Sequence, residues 1–395
     1  MPEECSAMAE NSVVLLGVGD IGPIHEPMEI YGALVRSTLA AGDIRFGQCE
    51  RLYSDRGALQ VHSGVHERPL KAHMASVYSD CGFDVVSMAG NHAMDWGPDA
   101  LLDTVALFRN KGIKTVGAGA NIKEARQPAI IERNGVRVAI LAYCSVLHEG
   151  YAAGPNTAGV APLRVHTYYE PAEYQPGMPP RVVTVPYQED LEAMVADIRD
   201  AKNTADVVVL SLHWGIHFIP RMIADYQPII AEAVFQAGAE LILGHHAHAP
   251  KAIGVHGGKV CFYSLSNFIM TSRLTSRLMS KENTTSAAEA TAKFARRYGV
   301  TVHPDDPLPY GTDSKRSLIA KAVLTREGAK KVSFLPVLID RQCRPEILHH
   351  GDPRFDDAVN FMEWVSEDFN HKFAAEGDEV LISADRNTGI ASNIR

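Results

Sequence analysis

The chain lacks cationic runs. No block of Lys and Arg is longer than Arg296-Arg297, and the formal net charge is −9. Such a balance offers no stripe for a nucleic-acid backbone and no patch for an anionic lipid surface. Long apolar runs are missing as well. No segment reaches the roughly 18 uninterrupted apolar residues of a membrane span. The apolar run at 13–18 is too short for a secretory core, and no basic residue precedes it. Cysteine is scattered. Cys5, Cys49, Cys81, Cys144, Cys261 and Cys343 form no CxxC pair, so neither a disulfide framework nor a thiolate zinc site has spacing support. These absences lead to the expectation of a soluble, cytoplasmic protein with no nucleic-acid and no membrane partner.

What is present is a large apolar fraction, 46% of 395 residues, enough for an extensive core. Short apolar runs alternate with helical patterns. SVVLLGVG (12–19), IRFGQCE (44–50) and DVVSMAG (84–90) read as strands, and Pro98 opens a helix that runs to Asn110. Further on, ADVVVLSLHWG and AELILGHH read as buried strands. Hairpin signals fall at Asn134-Gly135, at Gly257-Gly258 and near Glu327-Gly328. Repeated βα units flanked by hairpins predict an α/β sandwich with mixed sheets. The expected organisation is one domain over 12–345 with irregular insertions at 147–186 and 271–314. A C-terminal helical extension, 346–395, is expected to pack on the same domain.

Chemistry collects where the strands end. The first run ends in Asp20, the second in Glu50, and the third leads to Asn91-His92. The run VVVLSLHWG carries His213, and LILGHHAH ends in His245, His246 and His248. Ligands of open parallel sheets bind outside the carboxyl ends of the strands. Carboxylate, amide and imidazole donors without a thiolate suit Mn²⁺, Fe²⁺ or Zn²⁺. The donors exceed one tetrahedral site, so two divalent ions about 3.5–4 Å apart are expected. If the strand stays extended through its end, His246 and His248 face one side and His245 the other. On that reading His245 stands behind the ligands.

This ordered set resembles the calcineurin-like metallophosphoesterase superfamily. Within it, the chain is similar to the CapA-type branch, named for poly-γ-glutamate capsule synthesis. The likeness rests on Gly19-Asp20, GQCE, AGNHAMDWG, VVVLSLHWG, LILGHHAHAPKAI and YSLSNF, over about 13–268. It implies a four-layer α/β/β/α sandwich with a dinuclear site. Asp20, Glu50, Asn91, His213, His246 and His248 are the implied ligands, with Glu50 bridging. His92 is the implied catalytic histidine that binds no metal, and Asp95 lies close enough in sequence to hold its imidazole. Gln48, His217, His245, Asn267 and Arg51 are expected behind the ligands or against substrate. The superfamily's D-x-H reads Asp20-Ile21-Gly22 here, with His25 the nearest imidazole that follows, and Gln48 stands where Asn is usual. These departures look like a branch with its own substrate.

Two ions bring more positive charge than Asp20 and Glu50 return, which favours an anionic small-molecule substrate. Arg45, Arg51 and Arg56 flank the second strand end and could add to that charge. The expected activity is hydrolysis of an amide, peptide-like or ester bond. The alternatives are a phosphomonoesterase or phosphodiesterase, and a non-catalytic protein of anionic polymer synthesis. Oligomeric state is left open.

Overall fold

A computed structural model of the chain describes residues 11–61, 68–173, 177–272, 284–303 and 305–385. In chain order the strands are β1 (Val13–Gly22), β2 (Ile44–Cys49), β3 (Val85–Ser87), β4 (Lys114–Val116), β5 (Ala118–Gly119), β6 (Ala129–Arg133), β7 (Val136–Cys144), β8 (Gly159–Val160), β9 (Val165–Glu170), β10 (Arg181–Pro186), β11 (Val207–His213), β12 (Leu241–His245), β13 (Ile253–His256), β14 (Lys259–Phe262), β15 (Asn267–Met270), β16 (Arg316–Thr325), β17 (Gly328–Ile339), β18 (Pro345–Ile347), β19 (Lys372–Glu376) and β20 (Glu379–Ser383). The first sheet has the order β19-β20-β17-β16-β1-β2-β3-β4, with β15 joined to β1 and β18 to β17. The second has the order β13-β14-β12-β11-β7-β6. Strands β1 to β4 are parallel, as are β7, β11, β12 and β14. Strand β16 runs antiparallel to β1, so both sheets are mixed.

The apolar runs become central strands because both their faces are covered. In β11 the alternation is explicit. Val207 and Val209 join Leu15, Phe46 and Leu243 in a core between the sheets. Val208, Leu210 and Leu212 point the other way, onto a separate core. Met194 and Ile198 of the helix Gln188–Lys202 and Ile230 and Val234 of the helix Tyr226–Ala237 close that core. On the far side of the first sheet, Phe108 of the helix Gly97–Asn110 packs edge-on to Tyr78 at 4.8 Å. The result is a four-layer α/β/β/α sandwich.

Hairpins form at Asn134-Gly135 and Gly257-Gly258. Their φ values of 48° and 74°, and of 57° and 87°, supply the positive φ that two-residue hairpin turns require. The third hairpin turns at Arg326-Glu327, between β16 and β17. The stretches 28–40 and 72–80 form no continuous helix; each pairs a 3₁₀ turn with a five-residue α-helix.

The C-terminal segment is not simply helical. It holds the helix Pro353–Ser366, then the hairpin β19–β20, which extends the first sheet through β17. The hairpin lies at a sheet edge and is half exposed, so its apolar alternation is weak. Residues 386–395 lie outside the described residues. Insertion 147–186 contains β8 and the ribbon β9–β10, and insertion 271–314 contains the helix Thr284–Tyr298.

Candidate metal centre

The C-terminal ends of β1 and β2 in one sheet meet those of β11 and β12 in the other. Asp20 reaches this seam through an irregularity. Strand β1 pairs with β16 through Val18, and β15 takes over beside Asp20. A Cβ at Gly47 would meet Ile21 at 2.7 Å and Val18 at 3.4 Å. Side chains three apart on one face violate strand alternation, so the register shift between Gly17 and Asp20 turns the carboxylate inward. Gly19 makes the crossover feasible. A Cβ there would lie 2.0 Å from the carbonyl oxygen of Ser266, which accepts the Asp20 amide at 3.0 Å.

Ligand atoms of Asp20, Glu50 and His213 all lie within 4.8 Å of one another, and all three residues are buried. Around them stand the other donors. His213 Nε2 is 2.7 Å from Asn91 Oδ1 and 3.2 Å from His246 Nδ1. His248 Nδ1 is 3.5 Å from Asp20 Oδ2, and its Nε2 is 3.8 Å from Glu50 Oε1. Asn267 fixes the His248 tautomer. Its amide nitrogen donates to the carbonyls of His248 and Ser314, so its Oδ1 accepts Nδ1–H of His248 at 2.8 Å. That leaves the Nε2 lone pair on the side of Glu50.

His246 and His248 do not owe their convergence to strand alternation. Strand β12 stops at His245, and the two residues have φ of 89° and 53°. Left-handed backbone at non-glycine positions is strained and is held in place by surrounding structure. His245, still in the strand, points between the sheets, with Nδ1 3.6 Å from Asp20 Oδ1 and its ring 5.9 Å from Phe46. Strand β3 ends at Ser87, so Asn91 and His92 occupy a turn rather than extended chain. Their side chains are neighbours, with Asn91 Nδ2 3.3 Å from His92 Nε2, not divergent.

His92 Nδ1 lies 2.8 Å from Asp95 Oδ2, and the other oxygen of Asp95 accepts the Tyr151 hydroxyl at 3.2 Å. With Nδ1–H donated to Asp95, Nε2 of His92 faces the centre, 3.8 Å from Glu50 Oε1. Gln48 sits beneath, its amide nitrogen 3.3 Å from the carbonyl of Cys49. Gly90 keeps the space open, since a Cβ there would lie 2.9 Å from Gln48 Nε2 and 3.8 Å from Glu50 Oε2.

The surroundings fit a cation. Asp20 Oδ1, both carboxylate oxygens of Glu50, His213 Nδ1 and both ring nitrogens of His245 are buried without a hydrogen-bond partner. Burying such atoms unpaired costs about 1–3 kcal/mol each, more when charged. Burial pushes the Asp20 and Glu50 carboxyls up to about 8. It also lowers His245 to about 3 and His217 to about 4, and holds His213, His246 and His248 far below the usual imidazole value. Neutral imidazoles present lone pairs, which is the form a metal takes.

A roof of aromatic residues lies over the histidines. His217 is 3.8 Å from the His246 ring, and Tyr310 stacks on His248 at 4.6 Å. Phe218, with φ of 63°, stacks on Tyr310 at 5.6 Å and meets Phe294 and Tyr298 edge-on. Tyr151 and Tyr310 come from the two insertions, and the sequence pattern marks neither; only the proximity of WGIHF to a ligand hinted at Phe218. Of the three arginines flanking β2, Arg45 is bound to Asp84 at 2.9 Å and Arg56 to Asp103. Arg51 alone turns to the centre, beside Glu50 and His92. His25 faces the carbonyl of Ser272 at 3.4 Å and does not replace the absent imidazole.

The model of the family described as "Bacterial capsule synthesis protein PGA_cap" matches residues 13–272. The chain belongs to this family. It is 32% identical over 298 residues to the PGA biosynthesis protein CapA of Bacillus subtilis (strain 168), covering 73% of this chain and 67% of that one. It is 30% identical over 213 residues to the capsule biosynthesis protein CapA of Bacillus anthracis, covering 53% and 44%. The matched part thus spans less than half the length of the second relative. Among solved structures, the calcineurin-like phosphoesterase YfkN from Bacillus subtilis aligns over 90% of this chain and 99% of that one. The TM-score is 0.39 and the identity 11%, too remote to bear on function. Among the described residues no helix is long and apolar enough to cross a membrane.

Proposed function

We propose that the protein is a metal-dependent hydrolase that cleaves an amide, peptide-like or ester bond of a small anionic metabolite. The observation that carries this reading is the buried set of unpartnered acceptors on Asp20, Glu50 and His213, flanked by the His92–Asp95 pair. Asp20, Glu50, Asn91, His213, His246 and His248 would hold two divalent ions. Such a pair supplies Lewis acidity and a water that is nucleophilic at neutral pH.

The chain's own residues do the rest. Asp95 holds His92 in one tautomer and orientation. Nε2 of His92, when protonated, gives its proton to the leaving group. Asn267 keeps a lone pair of His248 turned inward, and the Phe218–Tyr310 stack excludes water from above. The surplus charge of two ions over two carboxylates supports an anionic substrate. The poly-γ-glutamate link of the CapA-type branch makes a γ-glutamyl amide the first bond to try. All five described cysteines are free although buried, which supports a reducing compartment and thus a cytoplasmic setting.

The test is metal content of the purified protein, with a turnover screen over γ-glutamyl amides, esters and phosphoesters. Metal with amide or ester turnover supports the reading. Turnover confined to phosphoesters replaces it with a phosphoesterase, and absence of bound metal overturns it.

A further inference from the structure

Beside His92 the centre opens onto a mouth lined by Glu50, Arg51, Arg68, His92, Asp95 and Trp96. Two arginines line it. The Arg51 stem lies over Gly22, where a Cβ would come within 2.7 Å of its Cγ. Its charge acts on Glu50 and on His248. Arg68 lines the same mouth and is exposed.

Several arginines of this fold are neutralised by carboxylates. Arg126 binds Asp197 at 2.6 Å, Arg164 binds Asp190 at 2.7 Å and Arg344 binds Asp340 at 2.7 Å. Arg68 has no carboxylate partner among the described residues. An exposed cation at the mouth of a buried centre is suited to an anionic group that arrives from outside.

We propose that Arg51 and Arg68 form a clamp for an oxyanion of the substrate, a carboxylate or a phosphate, set to one side of the bond that reacts. Guanidinium groups bind such oxyanions through paired, charge-assisted hydrogen bonds. The clamp lies on the His92 side, so a substrate held there presents its leaving group to His92. The inference deepens the hydrolase reading and rests on it for the word substrate, but anion binding is measurable without turnover.

The experiment is calorimetric titration of the full chain, with and without added Mn²⁺, using glutarate and inorganic phosphate as probes. Arg68→Ala and Arg51→Lys are compared with the natural sequence, and thermal unfolding confirms that each variant folds. Each variant is expected to weaken the preferred anion about 10- to 100-fold, the effect of losing a hydrogen bond to a charged group. The tighter of the two probes identifies the oxyanion. Unchanged affinity in Arg68→Ala overturns the clamp, as does anion binding that needs Mn²⁺ and ignores both substitutions. If the variants lose anion binding while the natural protein turns over nothing, the hydrolase reading falls and the anion site stands.

Discussion

If the centre holds metal as proposed, the stabilisation that metal gives should grow as pH rises. The perturbation is chelation across pH 5 to 9. Asp20 and Glu50 have folded-state pKa values near 8, against 3.8 and 4.5 unperturbed. Between those values the folded chain binds more protons than the unfolded one, so stability falls as pH rises. From pH 6.5 to 8 the two carboxyls together remove roughly 3 kcal/mol, at about 1.4 kcal/mol per proton per pH unit. Lys251 opposes them. Burial lowers its ammonium to about 7, and the unfolded chain then holds the extra proton, which returns roughly 1 kcal/mol over the same interval. The depressed imidazoles of His213, His217, His245, His246 and His248 oppose them too, because they stay neutral in the fold while the unfolded chain is still half protonated at each near pH 6.5. Together they return roughly 2 kcal/mol over the interval. The three contributions nearly cancel, so the stability of the chelated protein changes little from pH 6.5 to 8, and it falls below pH 6.5 as the imidazoles dominate. With Mn²⁺ or Zn²⁺ bound, both carboxyls would be held ionised, and the stabilisation by metal should grow by roughly 3 kcal/mol from pH 6.5 to 8, about 3–4 °C in Tm for a chain of this size. Lys251 and the imidazoles, neutral in the fold with or without metal, cancel in that difference. The assay is thermal unfolding in chelator and in metal over the pH series. Calorimetry in two buffers of different ionisation enthalpy then counts about two protons released per chain at pH 6.5. A metal-induced rise in Tm that stays constant or shrinks from pH 6.5 to 8, with no proton release, would refute the reasoning, because the carboxyls would already be ionised without metal.

Other outcomes follow from single residues. His246→Ala removes an imidazole whose Nδ1 lies 3.2 Å from His213, and elemental analysis should find well under the natural metal content. His92→Asn should keep its metal and lose about 10²–10⁴ in kcat on poor leaving groups, with a smaller loss on good ones. Metal loss in proportion to activity would make His92 a ligand instead. Gly19→Ala drives a Cβ toward the Ser266 carbonyl and should cost about 3 kcal/mol, the upper end for overpacking, read as a lowered Tm. Tyr151→Phe leaves Asp95 without one hydrogen bond, and the pH profile of kcat should shift where that of a merely structural residue would not.

The sequence made the strands legible because their cores are uninterrupted apolar runs, and a donor at the end of such a run has only one region to occupy. That is why Asp20, Glu50 and His213 meet as expected. Local backbone geometry was less legible. Strand alternation was assumed through His248, yet β12 stops at His245 and left-handed residues carry the chain onward. The third run leads to Asn91 and His92, but β3 stops at Ser87 and a turn carries both. The shift that turns Asp20 inward depends on β1 exchanging β16 for β15, a pairing between segments some 250 residues apart in the sequence. Tyr151 on Asp95 and Tyr310 on His248 are long-range contacts of irregular segments, and no periodicity announces them.

The two sheets divide the chemistry between them. The first sheet supplies Asp20, Glu50 and the turn with Asn91; the second supplies His213, His246 and His248. Neither offers a full set of donors alone. Their approach is close enough at β1 and β12 that a Cβ on Gly17 would lie 2.7 Å from Leu243. Docking the sheets therefore buries carboxyl oxygens of Asp20 and Glu50 and ring nitrogens of His213 and His245 without hydrogen-bond partners, an arrangement that opposes folding on its own. A divalent cation reverses that sign, since the same atoms then become its ligands and tie the layers together. Binding at this seam is thus coupled to the packing of the sandwich itself. A substitution that spoils the donors should free one sheet from the electrostatic cost as well as from the tie. His213→Leu, an apolar replacement of similar reach on the inner face of β11, should abolish metal-dependent stabilisation. In chelator it should leave the protein as stable as the natural chain, or more so. A variant much less stable than the natural chain in chelator would show that the imidazole contributes to the apo fold through contacts other than the metal.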